Sequence, residues 1–293
     1  MLKNVQIFEY LEKKQYLCTT ILFIAHVKRV SVNSQFSILH SQFSILNSQF
    51  SILNSQFTMY LFYCPDIETV QTLSEEESAH CVRVLRYSAG DEILITDGRG
   101  TTYTARITNP HPKHCDFQIL TREKQEPHHR FHLHIAIAPT KNIERLEWAI
   151  EKCVEIGVDE ITPLLCRFSE RKQLRTDRLE KIILSAAKQS LTPYLPVLHD
   201  LTPYDAFIKS QSTNHKSQLF IAHCYKDEKR FLKDEIERGG DVLVLIGPEG
   251  DFSEKEVADA LASGFIPVSL GNSRLRTETA AVVACHTAIL INE

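Results

Sequence analysis

The chain contains no Cys-x-x-Cys pair; its eight cysteines stand singly at positions 18, 64, 81, 115, 153, 166, 224 and 285. That scatter argues against a zinc ribbon, an iron–sulfur centre or a disulfide framework, and a reducing cytoplasm suits it best. A glycine-rich nucleotide loop opening a helix is also lacking. The nearest approach, Asp97-Gly98-Arg99-Gly100, runs on into Thr101-Thr102-Tyr103-Thr104, which reads as strand and leaves no helix N-terminus for a phosphate. Lys13-Lys14 followed by Tyr16 to Val27 has the outline of an export signal. It is too short to span a bilayer and lacks a small-residue cleavage site, so neither a span nor export is expected.

Two further scarcities are local. Residues 30–58 carry no Asp, Glu, Lys or Arg, and the only methionines are Met1 and Met59. From Ser34 to Gln56 the unit Ser-Gln-Phe-Ser-Ile-Leu-Asn/His recurs more than three times. Its apolar residues fall at the third, fifth and sixth places rather than on an a/d seam with charged flanks, so a coiled coil is not expected. We read residues 1–58 as a low-complexity extension, disordered or mis-assigned upstream of a start at Met59.

What is present is an ordinary soluble composition, 43% apolar and 24% charged over 293 residues, long enough for two cores. The first 58 residues hold five of the 33 basic and two of the 37 acidic side chains, which leaves a net charge of about −7 on the rest. A polyanionic partner therefore requires basic residues gathered in patches. Arg83, Arg86, Arg99 and Arg106 make one candidate; Arg167, Arg171, Lys172, Arg175, Arg178 and Lys181, interleaved with Glu170, Asp177 and Glu180, make another. Each patch taken alone reads equally well as a solvated face. Six histidines, His111, His114, His128, His129, His132 and His134, cluster around Cys115. Their spacing matches no standard metal site, so a solvated interdomain linker and no metal are expected.

Residues 59–127 read as short strands at Tyr60 to Tyr63, Glu92 to Thr96, Thr102 to Ile107 and Asp116 to Leu120. One helix, over Ser78 to Arg86, is capped by Ser74 with Glu77, and the whole reads as a small β-barrel. From 128 to 293 strands and helices alternate. Strands fall at 133–138, 160–165, 219–223, 242–246 and 266–270. Ile143, Leu146, Ile150, Cys153 and Val154 mark a helix face that ends at Gly157, and further helices lie near 177–191, 203–210, 230–238, 254–262 and 278–291. This is the α/β pattern of a mainly parallel sheet covered by helices on both faces.

Two loops in this half look built for a ligand. The first follows Val242 to Ile246 and reads Gly247-Pro248-Glu249-Gly250. Its glycines permit close backbone approach or positive φ, and its proline stiffens the turn. Ser253 and Glu256 form a capping box, with Phe252 and Val257 as staple, so the next helix starts at a defined place. The second loop follows Ile266 to Leu270 and runs from Gly271 through Leu275-Arg276-Thr277-Glu278-Thr279-Ala280 into an apolar helix. Two readings stand at this point: an ordinary turn with a structural salt bridge of Arg276 to Glu278 or Glu249, or a ligand site at the carboxyl ends of strands.

Gly247-Pro248-Glu249-Gly250, Leu270-Gly271 and Leu275 to Ala280 resemble the last two knot motifs of the ribosomal RNA small subunit methyltransferase E family. These are uridine N3-methyltransferases of the SPOUT class, which use S-adenosylmethionine (SAM). The resemblance continues through Glu151 to Val158, Ile161-Thr162-Pro163-Leu164, Ser169-Glu170-Arg171, Ala186 to Ser190, His80, Val84-Leu85-Arg86, Gly90-Asp91 and Asp97-Gly98. It covers nearly everything from Met59 onward. It implies a trefoil-knotted SPOUT domain at 128–293 after a PUA-like RNA-binding barrel at 59–127. It further implies a cytoplasmic homodimer, and methylation of N3 of a uridine, uracil 1498, in the 16S rRNA of the small ribosomal subunit.

On that resemblance SAM lies against Ile246, Gly247, Pro248, Glu249, Gly250, Leu270, Gly271, Leu275, Arg276, Thr277 and Thr279. Arg276 stabilises charge on a uracil oxygen, and Glu278 or a water takes the N3 proton. Glu249 is free in this reading to pair with an arginine, and Arg83, Arg86, Arg167 and Arg171 contact RNA. Three positions depart from the family pattern. Asp251 stands where a second glycine is usual, Lys172 where serine is common, and Thr192 where a basic residue is usual, leaving an RNA contact either missing or supplied by Lys188. The alternatives are a SPOUT enzyme acting at another RNA position and a non-catalytic RNA-binding protein. Ribose 2′-O enzymes tend to carry an Asn-rich loop in place of Arg-Thr-Glu-Thr.

Overall fold

The computed structural model describes residues 60–211, 216–225 and 229–293, so the repeat and the Lys13-Lys14 segment lie outside the described residues. Residues 60–293 form one unit. Its first part is a four-stranded sheet in the order β1 (Leu61–Tyr63), β2 (Glu92–Thr96), β3 (Thr101–Asn109), β4 (Asp116–Lys124). β1 runs parallel to β2 and the other pairs are antiparallel. Asp97 shapes the β2–β3 turn: its Oδ1 accepts from the backbone N–H groups of Arg99 and Thr101. The expected barrel takes the form of this open path of four strands, extended at the β4 edge by a bridge between Thr72 and Asp116.

Phe62, Ile95, Tyr103, Ile107 and Phe117 fill the core beneath it together with Cys81 and Cys115. α1 (Glu75–Ala79), followed by a π turn at His80–Val84, covers this core. Ser74 does cap α1, accepting from the Glu77 backbone N–H. The helix therefore starts at Glu75, immediately after its cap, rather than at Ser78.

The second sheet contains β5 (Leu133–Ile137), β6 (Glu160–Leu165), β7 (Val197–Leu198), β8 (Thr202–Pro203), β9 (Ser217–Ala222), β10 (Arg230–Phe231), β11 (Asp241–Ile246) and β12 (Ile266–Ser269). Its order is β10-β12-β9-β11-β5-β6-β7, with β8 also beside β6, and every pairing is parallel. The helices are α2 (Ile143–Ile156), α3 (Thr176–Gln189), α4 (Tyr204–Gln211), α5 (Leu232–Glu235), α6 (Glu254–Ala262) and α7 (Thr277–Asn292).

Strand alternation divides the buried side chains into two cores, as a sheet covered on both faces requires. Leu133, Ile135, Ile137, Val242, Val244 and Ile246 point to one side with α2, α3 and α7. Ala136, Leu243, Leu245 and Ile221 point to the other with α4 and α6. Asn142 caps α2, and Gly157 ends it at φ 113°, a left-handed C′ position that glycine fills without strain. Of the helix expected at 230–238 only four residues form. Leu232 and Ile236 keep helical spacing and are both buried, but Arg230 and Phe231 pair with Val268 and Ser269 as strand.

Two expectations are corrected here. The histidine stretch is not a solvated linker throughout. His134 lies buried in β5 with its Nε2 2.8 Å from Thr162 Oγ1, and His129 lies within hydrogen-bond reach of the Phe131 and Gly157 carbonyls. Burial pushes the His134 imidazole down to about 4. Cys115 is likewise buried. Second, Lys188 does not stand free in place of a basic residue at 192: its ammonium donates to the buried Glu77 carboxylate and ties α3 to α1. Thr192 itself is buried. The segment after it is stitched to the β2–β3 turn, with Gly100 N–H donating to the Pro193 carbonyl and Leu195 N–H to Gly98.

Candidate functional site

Strand order reverses at the β5–β11 pair: β6 and β7 lie to one side, β9 and β12 to the other. Ligands of open parallel sheets gather at such a switch point, outside the carboxyl ends of the strands. The loops after β5, β6, β9, β11 and β12 all emerge at this end.

The loop after β11 is fixed from several sides. Asp251 N–H donates to the Pro248 carbonyl at 2.9 Å, closing the turn. Ser253 and Glu256 form the full reciprocal capping box of α6. Neither Gly247 nor Gly250 takes positive φ; that conformation falls to Asp251, at φ 67°. The two glycines serve close packing instead. A Cβ on Gly247 would lie 3.0 Å from the Phe252 ring, and one on Gly250 3.0 Å from the Phe168 Cβ. The glycine usual at position 251 thus answers to a left-handed backbone, which aspartate tolerates better than most residues. Here its carboxylate accepts from the N–H groups of Cys224 and Phe252, at 2.7 and 2.8 Å, tying the loop after β9 to the loop after β11.

Glu249 does not pair with an arginine. Its Oε1 accepts from the Lys141 backbone N–H at 3.0 Å, joining the loop after β5 to the same cluster.

The loop after β12 meets the first one through Thr277, whose hydroxyl donates to the Gly247 carbonyl at 3.0 Å. Arg276 occupies the N-cap position of α7 with its side chain largely in solvent. Glu278, one residue into the first turn, is buried to 7% exposure, where the helix dipole favours negative charge. Its Oε1 lies 3.8 Å from Arg145 Nε and 4.0 Å from Arg276 Nη1. Its Oε2 is buried with no hydrogen-bond partner among the described residues. The salt bridge to Arg276 is therefore long, and Arg145 of α2 shares the carboxylate. Nothing in the sequence around Arg145 marks it: it carries no motif and reaches Glu278 only because α2 packs on α7.

Leu275 and Thr279 are half-buried, and Leu270 and Gly271 line a cleft of about 380 Å³ with Phe231, Leu232, Lys233, Asn272 and Thr287. That volume is within the range of small-molecule sites, roughly 300–1,000 Å³. Neither Glu278 nor the Gly247–Gly250 turn lines this cleft. Gly271 has φ 149° and open space where a Cβ would stand.

The arginines proposed for a polyanion divide into two kinds. Arg83, within the π turn, and Arg86, just after it, are exposed, and Arg167 is exposed on the loop after β6. Arg171 instead donates from Nε and Nη2 to the carbonyls of Thr140 and Lys141, and Arg175 and Arg178 pair with Asp177 and Glu147. Among the described residues no group of three or more His, Cys, Asp or Glu side chains is placed to hold a metal ion.

Comparison with known proteins places this geometry in a family. Residues 127–289 match the pattern described as an RNA methyltransferase domain, and residues 73–120 that of an RNA methyltransferase PUA domain. The ribosomal RNA small subunit methyltransferase E of Mesomycoplasma hyopneumoniae is 32% identical over 61% of this chain and 78% of its own length. The crystal structure of a probable rRNA methyltransferase from Porphyromonas gingivalis is 45% identical, with a TM-score of 0.75 over 79% of this chain and 99% of that one. A Neisseria gonorrhoeae ribosomal RNA small subunit methyltransferase E, solved bound to S-adenosyl methionine, is 26% identical with a TM-score of 0.69 over 78% and 95%. By fold, by its paired loops and by these relatives, the chain belongs to the ribosomal RNA small subunit methyltransferase E family.

Proposed function

We propose that this protein transfers a methyl group from S-adenosylmethionine to N3 of a uridine in 16S rRNA, uracil 1498, within the small ribosomal subunit. One observation carries the reading: Glu278 is buried between Arg145 and Arg276 with one oxygen unpartnered, at the point where Thr277 joins the two loops. A buried carboxylate oxygen without a donor is costly in a purely structural role. It becomes useful where a proton must be received.

The residues present fit the cofactor. Gly271 leaves open space where a Cβ would stand, and the turn from Ile246 through Pro248 to Gly250 offers backbone groups on a braced loop that Thr277 joins to the second one. Leu270, Gly271 and Leu275 would hold the adenosyl part, with Glu249, Thr277 and Thr279 shaping the loops around it. Bound there, SAM supplies an electrophilic methyl group on a sulfonium. The neutral imide nitrogen of uracil is a poor nucleophile, so its proton must leave as the N–C bond forms. Glu278 accepts that proton, Arg276 stabilises the charge that spreads onto a uracil oxygen, and Arg145 orients the carboxylate. Positioning of the two reactants contributes much of the remaining rate.

Arg83, Arg86 and Arg167 contact the RNA backbone, while Arg171 holds the loop after β5. Homodimerisation and a trefoil knot belong to the same proposal. Trp148 on α2 and Leu290 on α7 are exposed apolar side chains available to a second copy. None of the described helices is long and apolar enough to cross a membrane; a cytoplasmic location is part of this reading. Replacing Arg276 with alanine should lower methyl transfer at least 100-fold while changing SAM affinity less than threefold, measured by equilibrium dialysis and single-turnover kinetics. Equal loss of both would assign Arg276 to cofactor binding.

A further inference from the structure

Phe168 is 46% exposed on the loop after β6, yet the backbone on either side of it is held by hydrogen bonds. On one side Arg167 N–H donates to Glu256 Oε1 at 2.7 Å, locking the loop to the capping box of α6. On the other, Arg171 donates to the carbonyls of Thr140 and Lys141. Between them Ser169, buried, closes a tight turn by exchanging hydrogen bonds with Cys166. The base of the Phe168 side chain lies against Gly250, and its ring carries the Arg167 guanidinium 5.8 Å from the centroid.

A single exposed aromatic needs no explanation by itself. This one is held on a braced turn, packs against the loop whose other glycine accepts from Thr277, and bears a cation. Its charged neighbours are lopsided. Arg167 and Lys172 are exposed, whereas the acids around the loop are engaged: Glu170 pairs with Lys141 at 2.9 Å, Glu256 accepts from Arg167 N–H, and Glu249 accepts from Lys141 N–H. An apolar π-face with a net positive border suits an unpaired nucleobase attached to a phosphate strand. RNA bases splayed out of a helix are recognised by stacking on aromatic rings and on arginine planes. Enzymes that modify a base must extrude it and support the strand it leaves.

We propose that Phe168, with Arg167, is a stacking platform for a nucleobase next to the uridine that is methylated, a positioning role distinct from the transfer chemistry. The proposal rests on the reading of this site as an RNA methyltransferase site. The test compares Phe168→Ala, Phe168→Leu and Phe168→Trp in the full chain. Three readouts apply: methyl transfer to unmethylated small ribosomal subunits, binding of a fluorescein-labelled decauridylate, and the sedimentation profile.

The expected result is a KM for the subunit raised about tenfold or more by Ala and by Leu, with kcat and SAM affinity within about threefold, and near-complete recovery with Trp. Decauridylate binding should weaken in the same two variants only. Leu retaining wild-type KM would overturn the proposal, since a merely structural apolar contact tolerates it. So would a shift of the variants to a smaller sedimenting species, which would make Phe168 part of a contact between copies. Decauridylate binding that depends on the aromatic ring in a protein that transfers no methyl group would uphold the platform and refute the methyltransferase reading.

Discussion

Asp251 was visible in the sequence as a departure from a family pattern, and its structural meaning is a backbone angle. At φ 67° the residue occupies a left-handed conformation that costs most side chains roughly 1–2 kcal/mol, and its carboxylate accepts two backbone N–H groups. Asp251→Ala removes both hydrogen bonds and keeps the strain; Asp251→Gly removes the bonds and relieves it. Urea unfolding should therefore rank the glycine variant above the alanine variant by about 1 kcal/mol, and the reverse order would contradict this account of the loop.

His134 offers a test through pH. Burial depresses its imidazole to about 4, against an ordinary value of 6.5, so the unfolded chain binds the extra proton first as pH falls. The stability that His134 contributes is whole above pH 6.5 and is lost progressively down to about pH 4, up to roughly 3 kcal/mol in all. His134→Gln should flatten that limb of the stability profile measured by urea unfolding between pH 7 and 4. An unchanged slope would assign the acid sensitivity to other groups.

At the scale of elements, sequence legibility follows the range of the interactions responsible. The capping box of α6, the Gly157 end of α2 and the strands at Glu92–Thr96 and Glu160–Leu165 depend on neighbours within a few residues. All were readable. The strand at Arg230–Phe231 exists because Val268 and Ser269 lie beside it, and no local pattern could reveal that. The site divides in the same way. Gly247 to Gly250 and Arg276 to Thr279 stood out as motifs, whereas Arg145 joins them only through the packing of α2 on α7, and the roles of the two glycines depend on Phe168 and Phe252.

The Lys188–Glu77 pair is another long-range device, joining α3 to α1 across 111 positions in sequence. Glu77 is buried, and its second carboxylate oxygen lacks a partner. Lys188→Met should cost roughly 3 kcal/mol by leaving that charge uncompensated, and adding Glu77→Leu should restore much of it. A thermal unfolding cycle in which the two changes simply add would show that the pair carries no coupling.

The whole molecule combines a net charge of −4 with a substrate reading that requires polyanion binding. On that reading the contact falls to Arg167 and the Arg83–Arg86 turn, which stand exposed, while acids such as Glu77, Glu147 and Glu170 are paired with basic groups. The parallel sheet supplies the end at which the loops gather, the two cores hold the strands in register, and the four-stranded sheet with its covering helix is stitched to α3 and to the segment after it.

The central claim is chemical, and one measurement reaches it directly. The full chain is incubated with isotopically methyl-labelled SAM and small ribosomal subunits that lack the modification, and the rRNA is digested to nucleosides for mass spectrometry. The account expects a single labelled product, 3-methyluridine, from one position of the 16S rRNA. Label on a ribose or on another base, or no label from a protein that binds the subunit and SAM, would contradict it.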